Sequence, residues 1–316
     1  MPKPDQIESS DFGKAQDLKT KGKSFRSSGR YKESLECFKK AVEFYPRDAE
    51  AWFHQGTIYD ILGNLEAAIK CYRKAVGLMP DYTRPWIALG RIYSNLGRMQ
   101  EAEDSYANAI KTAPAKGSVW YDMGMVFYQT GRCYEALLYL DKALSLEREV
   151  PAYLNGRGLA LDRLGELAEA RETFDRALRA DMGFAQAWLN KGAVLSEMED
   201  NTGALGCFRK ALKLKPDYVA AMINIGNIYD SQKKLRQALR YYDRALRIDP
   251  ECKEAWNNKG WTLAGLKRVK AARQCFERAL KIDPDFKEAR ASMDALLKKS
   301  MVVGPRNDIA SRKKRA

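Results

Sequence analysis

Histidine is almost absent: the chain of 316 residues has one, His54. That excludes metal sites built from several imidazoles and leaves Ser-His or Cys-His catalysis without a recognisable set of partners. Cysteine is sparse, at six residues, and no two form a C-x-x-C pair. Neither a disulfide scaffold nor a cysteine-rich zinc site fits such spacing, so a reducing, cytoplasmic compartment is expected. No apolar run approaches the ~18 residues that a membrane span needs. Met1 to Ser10 lacks the apolar stretch of a signal peptide. There is no phosphate-binding loop, metal cluster or nucleophile–base pair, so no enzyme activity and no cofactor are expected. Charge, by contrast, is abundant. Lys and Arg number 55 against 41 Asp and Glu, a formal net charge of +14. The apolar share, 45%, can build a large core, and length alone suggests about two domains of ~150 residues.

Self-similarity replaces that division with another. Residues 15–286 fall without gaps into eight rows of 34: 15–48, 49–82, 83–116, 117–150, 151–184, 185–218, 219–252 and 253–286. The eighth place is Gly in every row, from Gly22 to Gly260, and the twenty-seventh is Ala, from Ala41 to Ala279. The twentieth is Ser34 and then Ala throughout, and the twenty-fourth is Phe, Tyr or Leu. Trp holds the fourth place in five rows, as Trp52, Trp86, Trp120, Trp188 and Trp256, and Pro the thirty-second in six. Places 4, 7, 8 and 11 form one helical stripe, and places 20, 24 and 27 form another. Gly between the stripes ends the first helix, and Pro near the row's end stops the second. Each row is therefore an antiparallel helix pair, with Gly at place 8 and Ala at place 20 sparing bulk where the helices cross.

The pattern resembles the tetratricopeptide repeat. Row three carries it nearly whole, as Trp86, Leu89, Gly90, Tyr93, Ala102, Tyr106, Ala109 and Pro114. The resemblance implies an all-α, right-handed α-solenoid superhelix whose first helices line a concave groove. A unit that cannot bury its apolar face alone must stack on neighbours, so the ends need caps. Lys287 to Lys299 reads as a capping helix, with Met293, Leu296 and Leu297 inward. Residues 1–14 read as a disordered leader and 300–316 as a basic disordered tail. Rows four and five lose the terminal Pro, and rows six to eight carry Glu199, Lys233 and Lys267 in place of the turn Gly. One domain with a softer junction near 147–152 is expected.

Function is sought where the rows vary, at places 2, 5, 6, 9, 12 and 13, opposite the core stripe of the first helix. Place 6 is Asn in three successive rows, as Asn190, Asn224 and Asn258, and Asn227 lies nearby at place 9. Carboxamides can both donate to and accept from an extended main chain. The run resembles the asparagine ladder of the O-GlcNAc transferase superhelix, which implies a grip on peptide backbone; a plain preference for Asn at an exposed place is the other reading. Trp261, at place 9, lies outside the core stripe and is either an anchor for a partner or a contact for the capping helix. Phe53, Tyr121 and Tyr128 give the groove an apolar floor, and Lys19, Arg84 and Arg91 a basic end. Chaperone-binding members of the family clamp a C-terminal carboxylate with Lys and Asn. Here Lys19 and Arg84 match, but Lys23, His54 and Ala88 do not, so no chaperone tail is expected. His54 reads as a surface or hydrogen-bonding residue.

The +14 lies away from the groove. Six cations and seven carboxylates nearly cancel at the groove places, whereas residues 298–316 carry seven Lys and Arg against Asp308. The second helices hold much of the rest, where pairs such as Asp243 and Arg247 suggest a solvated face. No outer aromatic platform of the kind nucleic acid favours is apparent, since Tyr242 belongs to the core. A scaffold binding a protein or peptide partner, alone or within a larger complex, is the leading expectation. RNA or an acidic membrane surface, met by outer helices and tail, is the alternative.

Overall fold

The computed structural model describes residues 9–302, all of whose regular structure is helical. Two compact units meet at Gly165–Glu166. The first contains α1 (Ser9–Ser27), α2 (Tyr31–Phe44), α3 (Ala49–Ile61), α4 (Leu65–Leu78), α5 (Thr83–Asn95), α6 (Met99–Thr112), α7 (Gly117–Gln129), α8 (Cys133–Leu146) and α9 (Pro151–Leu164). The second contains α10 (Leu167–Ala180), α11 (Ala185–Glu197), α12 (Asn201–Leu214), α13 (Val219–Ser231), α14 (Leu235–Ile248), α15 (Lys253–Gly265), α16 (Val269–Ile282) and α17 (Lys287–Val302). Each 34-residue row thus supplies two helices. The division falls within row five rather than near 147–152. A solenoid has only neighbour contacts, so no single core marks a boundary. Residues 9–14, expected in the leader, form the first turns of α1, and α17 runs three residues past the expected cap. The remaining leader and tail residues, 1–8 and 303–316, lie outside the described residues.

The row positions explain the packing. A Cβ placed on the eighth-place Gly would meet the twenty-fourth-place ring of the same row: 2.9 Å from Phe38 for Gly22, 2.8 Å from Tyr72 for Gly56, 2.5 Å from Tyr242 for Gly226. The ring itself, more than the crossing backbone, occupies the missing side chain's space. The Ala at place 27 is fully buried in every row, and its carbonyl accepts the N–H that closes the second helix, as in Tyr45 to Ala41 at 2.9 Å. Ser34, standing where other rows have Ala, is buried and donates to the Gly22 carbonyl at 2.8 Å.

Trp at place 4 does more than fill space. Trp52, Trp86, Trp120 and Trp256 donate from Nε1 to the carbonyl of the Pro six residues earlier, at 2.8–2.9 Å. Trp188 makes the same bond to Met182 at 3.0 Å, so the junction survives loss of proline. Where place 4 is Met222, Arg244 takes over the Pro216 carbonyl at 2.8 Å. At the start of the cap, Arg290 donates to Pro284 at 2.6 Å. Along α17, Ala289, Ser292 and Leu296 are buried and Met293 packs on the last core cluster, whereas Leu297 is exposed, contrary to its expected inward place.

The turns between paired helices keep a left-handed residue throughout. Gly29, Gly63, Gly97, Gly131 and Gly165 have φ of 72–82°. Glu199, Lys233 and Lys267 hold φ of 60–63° at the same place without glycine's freedom. A Cβ in this conformation costs about 1 kcal/mol, partly offset by the larger unfolded-state entropy of Gly. Replacing all three with Gly is therefore expected to stabilise the chain by about 1.5 kcal/mol in total. Urea unfolding of the triple variant checks this; an unchanged or lower midpoint would contradict it.

Candidate functional site

Within each unit the first helices lie side by side. α1 touches α3, α5 touches α7 and α7 touches α9; in the second unit α11 touches α13, α13 touches α15 and α15 touches α17. No two successive second helices make comparable contact. This has a consequence for places 5 and 6, expected to lie open opposite the core. Part of them is covered: Lys19, His54, Ala88, Asn155, Asn190 and Asn257 are buried, whereas Thr20 is exposed and Tyr121, Asp122, Asn224 and Asn258 are half-buried. Place 9, by contrast, is exposed at Arg91, Asn227 and Trp261.

In the first unit the basic end is already neutralised. Lys19 Nζ lies 2.9 Å from Asp48 and 2.9 Å from Glu50, and Lys23 reaches Glu50 at 2.5 Å. Burial works against the charged forms, but the lysine hydrogen bonds outweigh it, holding Glu50 down to about 2 and raising Lys19. Asp48 also caps α3, accepting from the Ala51 N–H at 2.9 Å. His54 is no surface residue. It is buried, stacked 5.3 Å from Phe38, with Arg26 donating to its Nδ1 at 3.2 Å. Burial, aided by Lys23 and Arg26, lowers it to about 4, so the ring is neutral at pH 7. Lys19 is thus committed within the chain and unavailable to clamp a terminal carboxylate. Arg91 pairs with Asp60, while Arg84 is exposed.

Further along this face, Tyr121 stacks on Tyr153 at 5.0 Å, and Arg163 lies 4.1 Å over the Tyr128 ring. Phe53 is half-buried among His54, Tyr72 and Tyr82. Between these aromatics sits Asp122. Burial pushes its carboxyl up to about 6, with Lys116 and Arg91 only partly opposing. An incoming cation would stabilise its charged form.

In the second unit the asparagines are not equivalent. Asn190 is buried and accepts from Gln186 at 3.0 Å. Asn258 donates to Asn227 at 2.9 Å, and Tyr242 donates to the same Asn227 oxygen at 2.8 Å. Asn224 is half-buried, between these two. Asn258 and Asn227 thus join successive first helices, while the Gln186–Asn190 bond lies within α11. Trp261 is 43% exposed. Its ring meets the edge of Phe276 at 6.2 Å.

Two features of the second helices were not read from the sequence. Asp243 pairs with Lys259 at 2.8 Å rather than with Arg247. Tyr229 and Tyr241 come together, 5.7 Å apart, beside the α14 arginines. The available signal was Tyr241 at the twenty-third place, where four other rows carry Cys. Those cysteines, Cys37, Cys71, Cys207 and Cys275, are buried and unpaired. Burial raises all four thiols, Cys71 to about 12. No described helix is long and apolar enough to cross a membrane.

Models of the tetratricopeptide repeat match residues 19–83, 83–116, 121–185, 183–251 and 225–297. The chain belongs to the tetratricopeptide repeat family. No curated protein matches it. Among solved structures it is similar to YrrB, a TPR protein with an unusual peptide-binding site, at 27% identity and a TM-score of 0.50. That match covers 60% of this chain and 97% of YrrB. It is also similar to a chain of the APC/C hetero-tetramer Cut9–Hcn1, at 18% identity and a TM-score of 0.65, over 89% of this chain but 55% of that one. A tetratricopeptide repeat protein from Parabacteroides merdae ATCC 43184 matches at 17% identity and a TM-score of 0.66, covering 79% of this chain and 99% of its own. The last two likenesses show the fold.

Proposed function

We propose that this protein is a non-enzymatic scaffold that holds an extended peptide segment of a partner on its first-helix faces. The observation that carries the reading is Trp261, an exposed indole on α15 beside the Asn227–Asn258 amide pair. Large aromatic anchors next to fixed polar groups are what peptide segments bury. In the first unit the complementary feature is Asp122 beside the Tyr121–Tyr153 stack, suited to a basic side chain of the partner. The likeness to YrrB supports the same class of ligand.

The test begins with peptides selected by phage display on the intact chain. Trp261→Ala is expected to weaken the selected peptides by about tenfold or more, as truncating an interface anchor does. Asp122→Asn should weaken those carrying Lys or Arg and spare the others. If every selected peptide keeps its affinity on Trp261→Ala, Asn224→Ala and Asp122→Asn, the first-helix face is not the binding surface.

A further inference from the structure

Two second helices of the second unit, α12 and α14, carry an uneven charge. α12 has Arg209, Lys210 and Lys213 and no carboxylate; α14 has Arg236, Arg240, Arg244 and Arg247 against Asp243 alone. In the first unit, α2 balances three lysines with three glutamates. Asp243 is already held by Lys259. Arg240 and Arg247 are exposed and meet no carboxylate among the described residues.

A cleft of about 350 Å³ opens at this place, lined by Tyr229, Gln237, Arg240, Tyr241, Arg244 and Arg247. It combines three arginines spaced four and three residues apart, hence on one helix stripe, with two aromatic rings. The rings are held from below. Both tyrosines pack on the core cluster that contains Phe208 and Ile225, and Arg209 Nη2 donates to the Tyr229 hydroxyl at 3.0 Å. Arg244 is steadied by its bond to the Pro216 carbonyl. A phosphorylated peptide would use the cations but not the rings. A nucleic-acid duplex keeps its bases stacked and out of reach. A single strand presents phosphates and free base faces together, and both features of the cleft answer to it.

We propose that this cleft binds single-stranded nucleic acid, with backbone phosphates on Arg240, Arg244 and Arg247 and a base against the tyrosine rings. The site is separate from the first-helix faces and does not depend on a peptide being bound there.

Fluorescence anisotropy on the full chain with labelled 12-nucleotide oligouridine and oligothymidine tests it. Both single strands are expected to bind, with affinity falling steeply between 50 and 200 mM salt, at roughly −0.7 in log–log slope per phosphate contact. Arg240→Glu/Arg247→Glu should weaken binding about tenfold or more and flatten that slope by roughly 1.4, the share of two contacts. Tyr241→Leu should weaken it by about tenfold with the slope unchanged, since stacking is not electrostatic. Lys70→Glu/Lys74→Glu makes the same charge change on exposed α4 residues and should cost under about threefold, because neither residue lines the cleft. Far-UV circular dichroism confirms that each variant is helical. The proposal is overturned if neither oligonucleotide binds at 50 mM salt or if the two charge-reversed pairs lose affinity equally. It is also overturned if a duplex binds as tightly as a single strand, or if a phosphoserine peptide or phosphatidylserine vesicle binds where the oligonucleotides do not.

Discussion

Lys19→Met is expected to remove about 3 kcal/mol of stability from the first unit, more than its place on a polar helix face suggests. Lys19 and Asp48 are both 8% exposed at the side chain, and their ion pair ties α1 to the start of α3. Without the ammonium, Asp48 keeps a buried charge whose remaining support is the Ala51 N–H. Adding Asp48→Asn should recover much of the loss, because the amide oxygen still caps α3 while the uncompensated charge is gone. Urea unfolding of the single and double variants decides the matter; a double variant no better than the single would rule out this mechanism. The same cluster sets a response to acid. Glu50 titrates below its ordinary value, so its contribution is present above about pH 4.5 and is lost as pH falls toward 2. His54 is also depressed, to about 4, so its protonation opposes folding and stability falls below the ordinary histidine value of 6.5. Both groups weaken the α1–α3 contact in the same direction, so amide protection in α1, taken against the intrinsic exchange rate at each pH, is expected to fall on acidification.

Gly260→Ala is expected to cost about 2 kcal/mol, although alanine is the better helix former. Its Cβ would stand 2.5 Å from Phe276 Cε1 and 2.8 Å from Cδ1. That ring is fully buried against Leu263 and Leu296 and has nowhere to retreat. The control is Gly206→Ala on α12 in the same unit, where nothing lies within 4 Å of the added Cβ. There the helix preference acts alone and should stabilise by about 1 kcal/mol. Opposite signs from the same chemical change isolate the ring contact, and like signs would refute it. Phe276→Leu in the Gly260→Ala background should relieve part of the strain, since a Cβ on Gly124 of row four would stand 2.9 Å from Leu140, against 2.5 Å from Phe276 here.

These contrasts mark how far a sequence can be read. Gly at place 8 and the large residue at place 24 recur every 34 residues, and a contact inside one repeat leaves such a signature. Lys19 with Glu50, Arg91 with Asp60, and Asn258 with Asn227 join one repeat to the next through residues that differ from row to row. No periodicity announces them. The burial of part of places 5 and 6 has a related cause. A single amphipathic helix has one buried stripe, but a first helix in an array is also covered on its flanks by its neighbours. The cleft on α13 and α14 has no signature in the sequence, because Tyr229 sits at a core place and Tyr241 at a place where four other rows carry Cys. Only the folded arrangement brings both beside three arginines.

The tryptophan bonds at the repeat junctions give the molecule a built-in optical readout. Trp52, Trp86 and Trp120 report on the first unit, and Trp188 and Trp256 on the second, each held by a carbonyl of the preceding repeat. Parting two repeats frees an indole from that carbonyl, so the emission spectrum registers the opening of junctions rather than the melting of helices. Trp261, outside this series and open to solvent, adds a separate signal that responds to what settles on α15.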